Sequence, residues 1–250
     1  MVHFVGAGPG AADLITLRGK SLLEQADVII YAGSLVNPEL LHWKKETCEV
    51  YNSAKMTLEE VIAVMLAAEE KGLTTVRLHT GDPCLYGAVR EQMDRLDALG
   101  ILYDSCPGVS AFCGAAAALG MEYTLPGISQ SVIITRMAGR TPVPERESLR
   151  SFAAHKSTMV LFLSTGLLKE AAADLLAGGL SEDTPAAIVY KATWPDEKIF
   201  LCNVGTMAAC AKENHLTNTA LIIIGDAVHQ TGYLRSRLYD PEFSTLFRCK

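Results

Sequence analysis

The chain has 250 residues, enough for two domains of ordinary size, and a hydrophobic content of 49% suits a globular interior. Its 22 Lys and Arg against 28 Asp and Glu leave a net charge of −6, which argues against a sequence-independent grip on nucleic acid. No apolar run approaches the roughly eighteen residues of a membrane span, and a strand-like run starts at Val2 with no signal peptide before it. Seven cysteines, odd in number and without a C-x-x-C pair, read as reduced thiols of a cytoplasmic protein rather than as disulfides or zinc ligands.

The first half alternates strands and helices. Val2 to Val5 reads as a strand, Leu17 to Ala26 as a helix, and Asp27 to Tyr31 as a buried strand. Thr57-Leu58-Glu59-Glu60 is a capping box that opens an amphipathic helix stopped by Gly72. Thr75 to His79 follows as a strand, Gly87 to Leu99 as a helix ended by Gly100, Ile101 to Tyr103 as a strand, and an alanine-rich helix starts near Ser110. This alternation predicts an α/β fold with a largely parallel sheet. Pro126 and Gly127 lie in an aperiodic stretch, so domains are expected at 1–122 and 123–250. In the second half, strands are expected at 131–135, 159–163, 187–190, 199–203 and 220–224, with helices around 166–177 and 206–213. Ile199 follows the turn-like Trp194-Pro195-Asp196-Glu197 closely enough to pair antiparallel with the strand before it. The two halves read as unlike sheets without an internal repeat, and the tail after Gly225 reads as loop.

Gly6-Ala7-Gly8-Pro9-Gly10-Ala11 after the first strand satisfies the relaxed dinucleotide fingerprint. Two features oppose a nicotinamide or flavin site. Pro9 removes an N–H from the stretch that should cradle a pyrophosphate, and Tyr31-Ala32-Gly33 has no acid for a ribose. A tight strand-to-helix turn needing glycine is the competing explanation. His79-Thr80-Gly81-Asp82-Pro83 sits at the carboxyl end of a parallel strand, with Asp82 free to bond a ribose hydroxyl or to face a cation; a Gly-Asp-Pro turn is the plainer alternative. Pro107-Gly108-Val109-Ser110-Ala111 again joins strand to helix, Ser110 being a natural N-cap.

Taken together, Gly6 to Gly10, Asp13-Leu14-Ile15-Thr16, Gly81-Asp82-Pro83 and Pro107 to Ser110 resemble the tetrapyrrole methylase family, from Val2 to about Gly225. The segments Tyr31 to Val36, Thr135-Arg136 with 139–145, and Lys191 to Glu197 resemble its corrin-building branch. The resemblance implies two unlike α/β domains with S-adenosylmethionine in the cleft between them, a homodimer, and methylation of a tetrapyrrole ring carbon. Carried over by motif, the cofactor contacts are Pro9, Thr80, Gly81, Asp82, Leu85, Ser110 and Ala111, with Leu163 and Ala192 from the second half. Gly33 stands where some relatives carry Asp, so a base role proposed for a nearby Asp in the uroporphyrinogen branch does not transfer.

A tetrapyrrole acceptor is a polycarboxylate, so cations are expected to face it. Arg136 and Arg140 flank a Gly- and Pro-rich loop that suits a mobile clamp, against the plainer reading of solvated arginines. Lys191 offers either a substrate contact or a structural ion pair, and Tyr86 either packs on the macrocycle or lies in the core. Trp194 reads as packing, and His79 and Cys84 as buried neutral residues. No Ser-His-Asp or Cys-His arrangement stands out, no base is identified, and no metal site is expected. An NAD-dependent oxidoreductase, a ribosomal-RNA ribose methylase, a nucleotide-sensing module and a neighbouring ring methylase are the competing readings.

Overall fold

Val2 to Val5 and Val28 to Tyr31 are largely apolar because the inner strands of the first sheet are covered on both faces. A computed structural model describes every residue except Arg140, Pro241, Thr245, Phe247, Cys249 and Lys250. The chain divides into two compact units, Met1–Ala115 with Lys191–Glu197, and Ala116–Tyr190 with Lys198–Lys250.

In the first unit, β1 (Val2–Gly6), β2 (Val28–Tyr31), β3 (Glu49–Asn52), β4 (Thr75–His79) and β5 (Tyr103–Cys106) form one sheet in the order β3-β2-β4-β1-β5. All four pairings are parallel. The helices are α1 (Leu17–Gln25), α2 (Leu58–Glu70), α3 (Arg90–Leu99) and α4 (Ala111–Leu119). Leu23 of α1 packs with Val5, Ile29 and Leu78 on one face. Val61, Ile62 and Met65 of α2 and Leu96 of α3 pack with Phe4, Val28 and Ile30 on the other.

That division follows from handedness. The crossover from β1 to β2 runs one way along the sheet and the crossover from β4 to β5 runs the other way, so right-handed connections put α1 and α3 on opposite faces. The loops that leave the adjacent strands β4 and β1 therefore part in opposite directions. Such a switch point is where open α/β sheets take up ligands.

Three local differences from the sequence expectations have simple causes. Strand β3 was not expected; Glu49 and Val50 are exposed, because an edge strand with one neighbour need not be apolar. Strand β5 begins at Tyr103 rather than Ile101, with exposed Asp104 and Ser105, and it too is an edge. Helix α3 begins at Arg90 rather than Gly87, because Tyr86 and Ala88 hold φ of 56° and 49°, outside helical geometry.

In the second unit, β6 (Val132–Arg136), β7 (Thr158–Phe162), β8 (Pro185–Tyr190), β9 (Lys198–Asn203) and β10 (Ala220–Ile224) form a mixed sheet in the order β6-β7-β10-β8-β9. Only β6 and β7 pair in parallel. The helices α5 (Leu149–Ala153), α6 (Leu168–Ala177) and α7 (Met207–Glu213) cover one face, with Leu149, Leu175 and Met207 against Met159, Leu161, Ile188 and Ile222. Strands β8 and β9 pair antiparallel, as the sequence predicts, with Tyr190 opposite Lys198. Among the described residues after Gly225 there are two single-turn helical segments, Asp226–His229 and Arg237–Tyr239, where the sequence reads as loop. Among the described residues no helix is long and apolar enough to cross a membrane.

Candidate functional site

At the carboxyl edge of the first sheet the loops after β1, β4 and β5 are joined backbone to backbone. Gly8 and Gly81 exchange hydrogen bonds, Gly81 N donating to Gly8 O at 2.8 Å and Gly8 N to Gly81 O at 3.2 Å. A Cβ on Gly108 would lie 2.3 Å from the Gly81 carbonyl oxygen, and one on Gly6 would lie 2.6 Å from Gly108 Cα. Only glycine permits this approach, and that is the physical reason for three glycine loops at one edge.

The first loop has few amides left for a ligand. Ala7 N donates to His79 O at 2.7 Å, Gly8 N is engaged with Gly81, Pro9 has no N–H, and Ala11 N donates to Thr193 Oγ1 at 3.0 Å. Asn37, buried, donates to Gly10 O at 2.9 Å. A Cβ on Gly10 would meet Trp194 Cδ1 at 2.2 Å, so the indole lies directly on that glycine. A pyrophosphate cradle needs amides turned outward, and here those of Ala7, Gly8 and Ala11 are turned into the protein.

The segment 191–197 is thus the cover of the glycine loop. Thr193 N donates to Glu197 Oε2 at 2.6 Å, Lys191 pairs with Asp196 at 2.7 Å, and the Lys191 ammonium lies 5.5 Å from the Trp194 ring centroid. Lys191 and Thr193 hold φ of 48° and 68°, a left-handed conformation uncommon for residues other than glycine. The ion-pair alternative for Lys191 and the packing role of Trp194 are both present. Ala192 is buried, and its carbonyl oxygen lies 2.8 Å from where a Gly10 Cβ would sit.

The sequence leaves the Asp82 carboxylate free for a ribose or a cation; in the fold Oδ1 also accepts from Cys84 N and Oδ2 from Gly108 N, both at 2.8 Å. Burial pushes its pKa up, but hydrogen bonds from Cys84 and Gly108 outweigh that and hold the carboxyl below its ordinary value. Asp82 ties two of the loops together as an anion. Cys84, expected buried, is exposed. Tyr86 is 43% exposed, which removes the core alternative for it.

Ser110 is buried and its carbonyl accepts from Cys113 N and Gly114 N in the first turn of α4. Ala111 N lies 3.3 Å from the position of a Gly81 Cβ, and Pro9 Cβ lies 2.8 Å from that of a Gly114 Cβ. Pro9, Thr80, Gly81, Asp82, Ser110, Ala111 and Ala192 are thereby gathered at one edge, with Leu85 a turn away through Leu85 N to Asp82 O. Gly6, Asn37, Gly108, Thr193 and Trp194 also build it. The 191–197 motif marks two of them in the sequence, whereas nothing in the sequence marks Asn37.

His79 ends β4. It is 4% exposed, stacks 6.2 Å from Phe4, and its Nε2 is without a hydrogen-bond partner among the described residues. Burial, reinforced by the Arg77 charge, brings its pKa down to about 3, so the ring is neutral as the sequence reading expected.

In the second unit, Leu163 follows β7 with φ of 52° and 68% exposure. The buried Ser164 beside it accepts from Met137 N at 2.9 Å and donates to Phe162 O at 2.7 Å, tying the ends of β6 and β7. Arg136 is half-buried; its Nη1 donates to the carbonyls of Met137 and Thr141 and its Nη2 to that of Pro142, so it braces the loop expected to act as a clamp. Arg140 lies outside the described residues. Among the described residues no cluster of His, Cys, Asp and Glu could hold a metal.

The family model of tetrapyrrole (corrin/porphyrin) methylases matches residues 1–208. The chain belongs to that family. The cobalt-precorrin-4 C(11)-methyltransferase of Methanocaldococcus jannaschii is 50% identical over 247 residues, covering 99% of this chain and 95% of that protein. A solved cobalt precorrin-4 methyltransferase of cobalamin biosynthesis superposes with a TM-score of 0.89 at 46% identity, covering 91% of this chain and 95% of the other. The uroporphyrin-III C-methyltransferase of Thermus thermophilus, in complex with S-adenosylhomocysteine, superposes at 0.79 with 27% identity, covering 92% of this chain and 99% of the other. As a tetrapyrrole methylase the chain has the two-sheet α/β architecture expected from its sequence.

Proposed function

We propose that this tetrapyrrole methylase is an S-adenosylmethionine-dependent methyltransferase of corrin biosynthesis that methylates precorrin-4, or its cobalt form, at C(11) to give precorrin-5. The observation that carries the cofactor is the first glycine loop, where Ala7, Gly8 and Ala11 spend their amides inside the protein and Pro9 has none, a surface without the amides a pyrophosphate needs. A phosphate-free sulfonium nucleoside suits such a surface and a dinucleotide does not. The complex of the Thermus relative with S-adenosylhomocysteine supports the same cofactor, and the names of the relatives at 46–50% identity support the acceptor and its carbon.

When bound, S-adenosylmethionine supplies a methyl group on a positively charged sulfur. The acceptor carbon is electron-rich and needs no strong base before attack, so the protein's contribution is alignment, up to roughly 7–11 kcal/mol. Gly81, Ser110, Ala111 and Ala192 contribute backbone and small side chains to the cofactor, Asp82 fixes the loops that present them, and Pro9, Thr80, Leu85 and Leu163 complete the cofactor contacts. Tyr86, Arg136, Arg140 and Lys191 are assigned to the macrocycle. We assign no base. We read the protein as cytoplasmic and as a homodimer, with exposed Leu234, Leu238, Tyr239 and Leu246 as apolar surface for a second copy. Light scattering on the purified protein checks the dimer.

Calorimetric titration with S-adenosylhomocysteine, with NAD as control, tests the cofactor. Binding of the sulfur nucleoside alone is expected; binding of NAD alone would end the methyltransferase reading. Incubation with precorrin-4 and S-adenosylmethionine should then add one methyl group to the product, located at C(11) by NMR. Transfer to another ring carbon would make the protein a neighbouring ring methylase.

A further inference from the structure

Arg77 stands in the middle of the central strand β4, only 7% exposed, where an aliphatic side chain would be the stable choice. Its described acceptors are all neutral: Gln92 Oε1 at 3.0 Å from Nε, and the carbonyls of Ile30 at 3.2 Å and Leu78 at 3.4 Å from Nη1. A buried guanidinium bonded only to neutral acceptors is costly, so its presence calls for a reason.

Gln92 supplies one. It lies on the first turn of α3, 5% exposed, and its amide is used from both ends. Arg77 can only donate, so the Gln92 carbonyl oxygen must face it, and the amide NH2 is thereby aimed the other way. There Gln92 Nε2 donates to Ala88 O at 3.0 Å. Ala88 and Tyr86 are both left-handed, and between them a Cβ on Gly87 would lie 2.3 Å from Pro83 O. A strained turn of this kind persists only where its surroundings over-determine it. The strained residues are those that carry Leu85 and Tyr86 out of the loop that Asp82 braces.

We infer that Arg77 and Gln92 are positioning residues for methyl transfer: a buried relay, Arg77 to Gln92 to the Ala88 carbonyl, that holds the turn 85–88 in the strained form presenting Tyr86 to the macrocycle. Neither residue touches substrate or cofactor; both act through the turn. The inference rests on the proposed function for its consequence, though the relay itself is a property of the fold.

The test is Gln92→Glu, with Gln92→Leu beside it. Glutamate keeps an acceptor for Arg77 and gains an ion pair, so folding is retained, but at neutral pH it has no proton for Ala88 O. Hydrogen exchange by mass spectrometry is expected to show faster exchange by tenfold or more in peptides covering 84–90 of Gln92→Glu, with β1 and β4 unchanged. Steady-state kinetics should show KM for the tetrapyrrole raised about tenfold, equivalent to about 1.4 kcal/mol, with S-adenosylhomocysteine affinity within threefold of the parent and the melting temperature not lowered. Gln92→Leu should add a lower melting temperature to the same defects. Unchanged exchange at 84–90 in Gln92→Glu would overturn the relay. Faster exchange with unaltered KM would overturn the positioning role. A parent protein that binds no S-adenosylhomocysteine would overturn the proposed function instead, and the exchange result would still decide the relay.

Discussion

His79 and Asp82, three positions apart, are affected by the fold in opposite ways. His79 is kept neutral by burial, down to a pKa of about 3, whereas the unfolded chain takes up that proton near 6.5. Below pH 6.5 the unfolded state therefore binds more protons, and stability falls as pH drops from 6.5 toward 3. By pH 5 the loss from this group is about 2 kcal/mol. Denaturant unfolding at pH 7 and pH 5 should show that difference, and His79→Leu should remove most of it. Asp82 has its pKa lowered, so its contribution is intact at neutral pH and is lost only as pH falls below about 4, through the folded value. Since Asp82 braces Gly108 and Cys84, Asp82→Ala should weaken S-adenosylhomocysteine binding by tenfold or more, about 1.4 kcal/mol. Arg140→Ala should spare that affinity and lower turnover. Equal loss of binding in both would overturn the division of roles. The sequence marks Asp82 but not its bond to Gly108, because a loop carboxylate meets its partners only after two loops 26 positions apart have been brought together.

The helices were legible where local chemistry decides them. Thr57 and Glu60 form the capping box read from the sequence, and Gly100 closes α3 with φ of 69°. Strand β3 and the start of β5 were not legible, since an edge position relaxes the pattern that marks a strand. The cover of the glycine loop is a contact between segments about 180 residues apart, and it has a direct test. Gly10→Ala should destabilise the protein by about 1–3 kcal/mol through the clash with Trp194. Adding Trp194→Ala should recover part of that loss. The recovery is partial because the Ala192 carbonyl also stands 2.8 Å from the new methyl. Thermal unfolding of the two variants checks it, and full additivity would show that the indole is not what meets the methyl.

At the scale of the molecule, ligand binding to the folded state alone raises stability by mass action. At a hundredfold excess over its dissociation constant, S-adenosylhomocysteine should add about 2.7 kcal/mol, a rise in melting temperature of roughly 5–10 °C for a chain of this size. NAD at the same concentration should leave it unchanged. A shift with NAD alone would restore the dinucleotide reading of Gly6 to Ala11. What the sequence determined by itself was the alternation of elements, the glycine loops and the family, because propensity, capping and close-approach glycines are written in short stretches. Tertiary structure alone decided the strand order that opens the switch point between β4 and β1, the turning inward of amides of the first loop, and the hydrogen-bond partners of Asp82, Arg136, Arg77 and Gln92. Those depend on which distant groups meet, and a hydrogen-bonding side chain takes its role from the partner the fold brings to it.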